Sequence, residues 1–385
     1  MPLVRLALVA ASVALLSHEA AQAADTAGFE PARPGYQMVF PRDHGAHPAF
    51  QTEWWYYTGH LQTDDGRPFG YQLTFFRRGL HRHDTISTAP ADAPPRSAWR
   101  VDDLYFAHLA LTDIDGKQFH FTDRISREGL GKAGADVGRL HVWLDRWQTS
   151  TDEHATDARA PHHLVADGPD FSLTLTATPT KPPTIHGTDG VSRKGPDADQ
   201  ASHYYSLTRM DTVGSITTGD RRLSVRGVSW MDHEFGSGAL HPSIVGWDWF
   251  SLHLATGEEV MVYRLRLNDG SPAPASSATW IRRDGSTEHL PVEAVSIDVL
   301  DWWTSPHSQA RYPSRWRVRV PSHQLELTVT PQLADQELRT TRSTQVTYWE
   351  GAVRAEGTIG SDRRRIHGDG YVELTGYAER YRPRL

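Results

Sequence analysis

Apolar and polar residues alternate along most of the chain with a period of two, which is the pattern of β-strands that bury one face. No long segment keeps the 3.6-residue apolar period of an amphipathic helix. The strongest strand segments are rich in aromatic and β-branched residues and occupy 54–63, 104–113, 171–178, 258–267 and 316–320. Asp-Gly pairs supply the positive φ of tight hairpin turns, and they recur at 65–66, 115–116, 269–270, 284–285 and 369–370. We therefore predict an all-β protein of antiparallel sandwiches or barrels.

Three segments lack this strand pattern. They are rich in proline, glycine or histidine and cover 81–100, 149–163 and 179–202. Loops of this length in a compact domain often cover a binding site. Solvated insertions without a role are an equally good interpretation of the sequence alone.

An internal repeat divides the chain into two halves. The segment from Trp54 to Leu61 resembles that from Trp247 to Leu254, and 227–232 resembles 368–373. Both pairs occur in the same order, and the first half has more residues between them, where the long loops lie. We predict two homologous domains, over 51–240 and 241–385, preceded by a lead-in segment over 24–50.

The N-terminus has the three parts of a secretory signal. Arg5 provides a positive charge, an apolar run follows over 6–16, and Ala21-Gln22-Ala23 fits the small-residue cleavage pattern. The eleven apolar residues of the run are too few to span a bilayer. We predict a signal peptide over 1–23 and a periplasmic or secreted mature chain.

Composition excludes several classes of function. The 385 residues contain 40 Lys and Arg against 47 Asp and Glu, a net charge of −7, which argues against nucleic acid as a partner. The chain has no cysteine, so disulfides, thiolate metal sites and a cysteine nucleophile are excluded. The sequence motifs of serine hydrolases, P-loop proteins and dinucleotide-binding proteins are missing as well. The 13 tryptophans and 21 histidines are the distinctive part of the composition.

The first candidate site begins at Glu53, directly before four aromatic residues. Side chains alternate along a strand, so two of the four rings lie on each face. Burial beside the rings would raise the pKa of the Glu53 carboxyl and suit it to act as a general acid. A Glu53 that starts the strand at the surface is the alternative. The ring-bearing residues that we expect to contact a ligand are Trp54, Trp55 and Tyr57.

The second candidate site lies over 229–236. On a strand Asp232 and Glu234 point the same way, roughly 6–7 Å apart, and paired carboxyls at that distance raise one pKa. His233 points the other way unless a β-bulge turns it. We expect Trp230 and Phe235 to contact the ligand. A surface turn before a flexible linker is the alternative interpretation.

A third motif and a set of histidines are weaker candidates. In Trp247-Asp248-Trp249 the carboxyl faces away from both rings, where it either binds a cation at the domain junction or lines a pocket. All three residues are candidate ligand contacts. His-x-His and His-His pairs with Asp84 could bind zinc or copper, but no known metal-site spacing is present. We predict no metal and solvated loop histidines at His44, His47, His81, His83, His162 and His163.

These motifs resemble a known family. The segments 53–61, 75–77, 230–237 and 246–250 are similar to those of the AttH-like proteins, also called predicted secreted hydrolases or carotenoid 1,2-hydratase-like proteins. The resemblance covers roughly 35–380. It implies an all-β fold of two tandem lipocalin-like antiparallel β-barrels and a hydrophobic ligand of isoprenoid, polyene or lipid-like type. It also implies no cofactor and a partnership with an ABC-transporter permease.

The sequence departs from the carotenoid hydratases at three positions. Their comparable segment reads approximately Asp-His-Asn-Trp-Gly, whereas Glu234 and Phe235 stand at the third and fourth positions here. The acidic residue that they carry after a tyrosine is missing, since Tyr263 is followed by Arg264 and Leu265. These differences argue against hydration of a carotenoid and leave a related hydratase or hydrolase.

Two functional hypotheses follow. As an enzyme, the protein would add water to a hydrophobic substrate or hydrolyse it, with Asp232 or Glu234 as acid or base, His233 as proton relay and Glu53 assisting. Trp54, Trp55, Trp230 and Trp249 would form the walls of the site. As a carrier, it would hold a lipid or isoprenoid without chemistry and pass it to an ABC transporter, with peripheral contact to a membrane. A structural β-protein without a ligand is a third interpretation.

Overall fold

The structure is a computed structural model that describes residues 28–82 and 100–381. The predicted signal peptide, most of the loop over 81–100 and the last four residues lie outside the described residues. The described chain forms two antiparallel sheets and three short 3₁₀-helices, Arg42–His44, Val292–Ala294 and Pro321–His323. Within this part of the chain, no helix is both long and apolar enough to cross a membrane.

The first sheet contains thirteen strands of the described residues. They are β1 (Thr52–Thr63), β2 (Pro68–Gly79), β3 (Asp103–Asp113), β4 (Gln118–Arg127), β5 (Ala133–Ala135), β6 (His141–Leu144), β7 (Trp147–Ser150), β8 (His162–Asp167), β9 (Phe171–Pro179), β10 (Thr184–Ile185), β11 (Ser192–Arg193), β12 (Ala201–Thr218) and β13 (Arg221–Gly236).

The second sheet contains ten. They are β14 (Ile244–Leu254), β15 (Glu259–Leu267), β16 (Ser277–Ile281), β17 (Thr287–Pro291), β18 (Ser296–Thr304), β19 (Arg311–Val320), β20 (Leu325–Pro331), β21 (Glu337–Arg339), β22 (Thr347–Ile359) and β23 (Arg364–Leu374).

The strand orders of the two sheets correspond. The first runs β4-β3-β2-β1-β13-β12-β9-β8-β7-β6-β5, and the second runs β17-β16-β15-β14-β23-β22-β20-β19-β18. In each sheet the first long strand pairs with the last one, β1 with β13 and β14 with β23. Both sheets curl on themselves, so the predicted fold of two tandem lipocalin-like barrels is confirmed.

The repeat in the sequence falls on equivalent strands. The segments Trp54–Leu61 and Trp247–Leu254 lie in β1 and β14, and each pairs with the strand that carries the second repeated motif. In the first sheet Tyr56 lies opposite Asp232, and in the second Trp249 lies opposite Glu373. The duplication therefore places Asp232 and Glu373 at equivalent positions of the two barrels.

Strand alternation distributes the aromatic residues of β1 between two cores. Trp55 and Tyr57 are fully buried in the core of the first barrel. Trp54 and Tyr56 point the other way, into an aromatic cluster that both sheets share. The expectation of two rings on each face is confirmed. Each large side chain so buried contributes roughly 1.5–3 kcal/mol of hydrophobic stabilisation.

The segment over 179–202 is packed between the sheets and is not a solvated insertion. The Lys181 Nζ donates at 2.6 Å to Glu259, which lies on β15 of the second sheet. His186 lies between the two sheets, with hydrogen bonds to Ser206 at 2.6 Å and Thr279 at 2.8 Å. This segment therefore ties the second sheet to the first.

Gly70 marks a close approach of the two sheets. A Cβ at this position of β2 would lie 2.6 Å from the Tyr371 hydroxyl and 2.8 Å from the Ala352 Cβ, both on the second sheet. We expect Gly70→Val to force the sheets apart and to lower the free energy of unfolding by about 1–3 kcal/mol. Urea unfolding measures this, and an unchanged midpoint would show that the sheets do not meet there.

Candidate functional site

The strand β13 separates the predicted catalytic residues into two groups. Its pairing with β1 is continuous from Val225 to Gly236, so no bulge rotates His233. The side chains of Asp232 and Glu234 therefore face the second sheet, and that of His233 faces the first barrel. The alternation expected from the sequence holds, and the four predicted catalytic residues form two separate sites.

Glu53 and His233 belong to a buried ionic network beside the first barrel. The Glu53 carboxylate accepts from His47 Nδ1 at 2.7 Å, from His233 Nε2 at 2.9 Å and from Arg77 Nε at 3.1 Å. The backbone N–H of His47 adds a further bond at 2.9 Å. Arg77 also donates to Asp103 at 3.1 Å. Glu53 and His233 are fully buried, so the alternative of a surface Glu53 is wrong.

The expected rise in the pKa of Glu53 is also wrong. Burial alone would raise this pKa, but the charges and hydrogen bonds of His47, His233 and Arg77 hold it well below its usual range. Burial lowers the pKa of His233, partly offset by Glu53. For His47, burial acts in the same direction, but Glu53 and Asp43 outweigh it and raise the pKa. Glu53 is therefore an ionised anchor and not a proton donor.

The proton relay expected of His233 has no hydrogen-bonded path to Asp232 among the described residues. The two ring nitrogens of His233 contact the Tyr205 hydroxyl at 3.0 Å and Glu53 at 2.9 Å, both on the barrel side of the strand. Phe235 lies on the same side, fully buried and stacked on His47 with ring centroids 3.6 Å apart. The interior of the first domain thus contains three side chains that were predicted to contact a ligand, those of Trp55, Tyr57 and Phe235.

The histidines of the lead-in segment are buried, contrary to the prediction of solvated loop residues. His44 contacts the Tyr205 hydroxyl at 2.7 Å, and His47 joins the network of Glu53. His162 is also buried and contacts the Tyr57 hydroxyl at 2.9 Å. His81 is exposed and His163 is partly exposed, while His83 and Asp84 lie outside the described residues. These contacts join segments that are far apart in the chain, and the local polar sequence does not indicate them.

His47, Glu53 and His233 each offer one metal-ligating atom, and these atoms lie within 4.8 Å of one another. Two imidazoles and a carboxylate are a donor set that suits zinc. Arg77, however, donates to the same carboxylate, and both histidines bind it directly. A cation there would have to displace these bonds and lie beside a guanidinium. The expectation of a metal-free protein stays a prediction, which elemental analysis of the purified protein would test.

The second site, here called the junction site, lies between the two barrels. Its aromatic walls come from both sheets: Tyr56, Tyr204, Trp230, Trp249, Tyr263 and Tyr371 are buried together, with Trp54 and Trp247 partly buried beside them. Asp232 accepts hydrogen bonds from Trp230 Nε1 at 2.6 Å and from the Tyr204 hydroxyl at 2.8 Å. Ser206 donates to it as well. Trp249 donates across the junction to Tyr204 at 3.1 Å.

Two glutamates of the second sheet complete this site. Glu373 accepts a hydrogen bond from Trp247 Nε1 at 2.9 Å, much as Asp232 does from Trp230. Glu350 lies opposite Glu373 in the pairing of β22 with β23 and is buried. Neither residue was among the predicted site residues. The repeat could have shown Glu373, because it matches Asp232 in the second copy, whereas Glu350 has no comparable signal.

Burial makes these carboxyls unusually basic. It raises the pKa of Asp232 to about 7, although Ser206, Trp230 and Tyr204 donate hydrogen bonds that oppose the rise. Burial, with the charges of Asp232 and Glu234, also raises the pKa of Glu373 to about 7. Burial and the charge of Glu373 raise the pKa of Glu350 well above its usual value. The junction site therefore holds carboxyls that exchange protons near neutral pH.

Glu234 has a different environment from Asp232. Lys194, from the segment that packs between the sheets, lies 2.8 Å from the Glu234 carboxylate and 3.8 Å above the ring of Tyr263. Ser202 donates to the same carboxylate. Glu234 is thus an ion-paired carboxylate, while Asp232 has only neutral donors. The two carboxyls that the sequence treated as equivalent have separate roles.

The Trp247-Asp248-Trp249 motif also divides between two sides of a strand. The rings of Trp247 and Trp249 belong to the aromatic cluster of the junction site, and their contact with a ligand stays a prediction. Asp248 faces the second barrel, where it pairs with Arg266 at 3.2 Å and accepts from the Tyr377 hydroxyl at 3.0 Å. Both partners belong to the second domain. Asp248 therefore anchors that barrel and does not contact the junction site.

The residue types of the junction site suit acid–base chemistry on an apolar molecule. Asp232, Glu234, Tyr56 and Tyr263 are all buried, so the carboxyls lie in an aromatic environment with little solvent. Aromatic walls exclude water and prefer an apolar ligand. A carboxyl with a pKa near the working pH is an effective general acid or base.

Comparison with known proteins places this architecture in a family. The model of the AttH-like family matches residues 31–377. A crystal structure described as AttH, from Nitrosomonas europaea, is 35% identical and superposes with a TM-score of 0.76 over 91% of this chain and 100% of that chain. A search of curated proteins found no match.

Two more distant structures share the fold. Kievitone hydratase from Nectria haematococca is 16% identical, with a TM-score of 0.66 over 91% of this chain and 98% of that chain. CghA with Sch210972 is also 16% identical, with a TM-score of 0.55 over 92% and 97%. The family model spans nearly all of the described chain, in agreement with the motifs of β1 and β13. This protein belongs to the AttH-like family.

Proposed function

We propose that the junction site is the active site of a cofactor-independent hydratase or hydrolase that acts on a hydrophobic small molecule. The observation that carries the proposal is the pair Asp232 and Glu373, two carboxyls with pKa values of about 7 inside an aromatic cluster. The fold shared with kievitone hydratase, a hydratase by name, agrees with this chemistry. Aromatic walls favour an apolar compound, and the family resemblance suggests one of isoprenoid, polyene or lipid-like type.

The two carboxyls can divide the addition of water between them. Both carboxyls have a pKa of about 7 and Glu373 responds to the charge of Asp232, so near pH 7 the state with one carboxyl protonated and the other ionised is populated. We assign the donor role to Asp232, whose proton goes to one atom of the substrate double bond. Glu373 takes a proton from the attacking water, whose oxygen bonds to the neighbouring atom. The net change is the addition of one water molecule, and a proton must then return from Glu373 to Asp232.

We infer that the mature protein is exported, on the strength of the signal pattern over 1–23. An exported protein meets compounds of the periplasm and the membrane, so these are the first candidate ligands to test. Partnership with an ABC-transporter permease and peripheral contact with a membrane stay predictions of the family resemblance.

The test begins with the protein purified from cells that export it. Mass spectrometry of an organic extract should find a stoichiometric apolar compound, which is then incubated with the protein in H₂¹⁸O. We expect ¹⁸O to enter the compound with the wild type and not with Asp232→Asn. A compound that binds saturably and is recovered unchanged from the wild type would instead establish a carrier.

A further inference from the structure

A second concave site lies in the second barrel, apart from the carboxyls of the junction site. It is a pocket of about 240 Å³ between β15, the start of β16 and the start of β18, and we call it the seam pocket. The two ends of the second sheet approach each other here, since β16 and β18 belong to opposite ends of the strand order. Its lining residues are Val262, Arg264, Pro272, Val292, Val295 and Ile297, together with Tyr263, Asp298 and three serines, Ser276, Ser277 and Ser296.

Strand alternation separates the seam pocket from the junction site. Val262 belongs to the core of the second barrel, whereas the ring of Tyr263 belongs to the aromatic cluster between the barrels. Arg264, two residues after Val262, therefore projects to the barrel side of β15. The strand itself forms the wall between the two sites.

Arg264 has unused capacity to bind an anion. Its two terminal nitrogens donate to backbone carbonyls, Nη2 to Gly270 at 3.1 Å and Nη1 to Ile297 at 3.4 Å. Its Nε is buried and has no hydrogen-bond partner among the described residues. A buried donor without an acceptor destabilises the folded state. An acceptor oxygen supplied by a ligand would remove that cost.

The neighbouring carboxylates are already paired with other arginines. Asp298, at the edge of the pocket, lies 2.9 Å from Arg319. Asp248, deeper in the barrel, pairs with Arg266 at 3.2 Å. In the described parts of the chain, no carboxylate lies within ion-pairing distance of Arg264. Arg264 thus has no directly bonded carboxylate, although Asp248 lies opposite it in the pairing of β14 with β15 and interacts with its charge.

The walls and the volume define the rest of the ligand. Four branched apolar residues and a proline line the pocket, and Val295 and Ile297 also pack against the barrel core. The volume of about 240 Å³ is below the roughly 300–1,000 Å³ of pockets for drug-sized ligands. We propose that the seam pocket binds a small carboxylate with a short apolar tail, its carboxylate on Arg264 and its tail against Val292, Val295 and Ile297.

Calorimetric titration with hexanoate tests this inference, with 1-hexanol as the uncharged probe of similar shape. We expect hexanoate to bind the full chain with one-to-one stoichiometry and about tenfold more tightly than hexanol, since a hydrogen bond to a charged group contributes about 1.5–3 kcal/mol. Equal affinities for the two probes, or no binding of hexanoate at millimolar concentration, would overturn the proposal. This comparison needs no variant and does not depend on folding of one.

Variants locate the bound hexanoate. Arg264→Gln should weaken binding about tenfold, and Val295→Trp, which fills the pocket without changing its charge, should abolish it. The matched control is Arg311→Gln, because Arg311 is exposed and stacks on Trp302 outside the pocket. Tyr56→Phe, in the junction site, should leave the affinity unchanged. Binding that survives both pocket variants, or that is lost with Tyr56→Phe, would place hexanoate elsewhere and contradict the proposal.

Discussion

Replacement of Arg77 by methionine is expected to lower the free energy of unfolding by about 3–5 kcal/mol, the usual cost of breaking a buried ion pair. The side chain is 1% exposed and donates to Glu53 at 3.1 Å and to Asp103 at 3.1 Å. It also donates to the backbone carbonyls of His47 at 2.8 Å and Phe50 at 2.6 Å. Methionine fills much of the same volume but removes the Arg77 hydrogen bond from each of the four acceptors. Urea unfolding followed by tryptophan fluorescence measures the loss.

Arg226→Met is the matched control for Arg77→Met. Arg226 pairs with Asp64 at 2.7 Å, but both side chains are more than half exposed. Exposed pairs of this kind contribute little, so the midpoint of this variant should stay near that of the wild type. A loss for Arg77→Met no larger than that of the control would show that the network of Glu53 does not hold the lead-in segment to the first barrel.

Asp232→Asn is expected to lower kcat by about 10²- to 10⁴-fold, the usual contribution of a general acid. Asparagine keeps the shape of the side chain and can still contact Tyr204, Ser206 and Trp230, so the fold should persist. It has no proton to give. Glu373→Gln should produce a loss of comparable size, because the proposed reaction needs both carboxyls. Steady-state kinetics on the compound recovered from the protein measures both variants.

Asp211→Asn is the control, since Asp211 is an exposed residue of β12. The pH profile separates a chemical role from a structural one. With Asp232 as the acid and its pKa at about 7, kcat of the wild type should fall as pH rises above 7. If Asp232→Asn retains wild-type turnover, or if wild-type turnover does not change across pH 7, the assignment of Asp232 is refuted.

The free energy of unfolding should also change with pH as the Asp232 carboxyl titrates. The pKa of Asp232 is raised to about 7 in the folded chain, against about 3.9 for an unperturbed aspartate. Between these values the folded state binds more protons than the unfolded state, so the free energy of unfolding falls as pH rises from about 4 to about 7. Asp232→Asn should flatten this dependence. Glu53 has the opposite effect at lower pH. Its pKa is held below the usual range, so its contribution to the free energy of unfolding is lost as the pH falls.

The sequence predicted those features that depend on local pattern and on the repeat. Alternation along β1 correctly placed Trp55 and Tyr57 on one face and Trp54 and Tyr56 on the other. The same alternation correctly predicted that the side chains of Asp232 and His233 point to opposite faces of their strand. The repeated motifs predicted two barrels, and the family resemblance predicted their lipocalin-like type. These features follow from a period of two and from duplication, both of which are visible in one sequence.

Long-range partners could not be predicted in the same way. The pKa of Glu53 depends on Arg77 and on His47, which the lead-in segment brings to it from outside the strand. His47 looked like a loop residue because nothing local shows that its segment packs against the barrel. Lys194 likewise reaches Glu234 from a segment with the composition of a solvated loop. Burial and the buried charge partners together decide the sign of each pKa shift, and both are properties of the assembled domains.

The protonation state of Asp232 is the most direct test of the central claim, and it can be measured without a substrate. We would record ¹³C NMR spectra of protein labelled at the aspartate side-chain carboxyls, with Asp232→Asn to assign the signal, across a pH titration. The structure predicts that the Asp232 signal titrates near pH 7, because burial raises its pKa to about 7. A signal that titrates near pH 4, like that of an ordinary aspartate, would contradict the proposed acid at the junction of the two barrels.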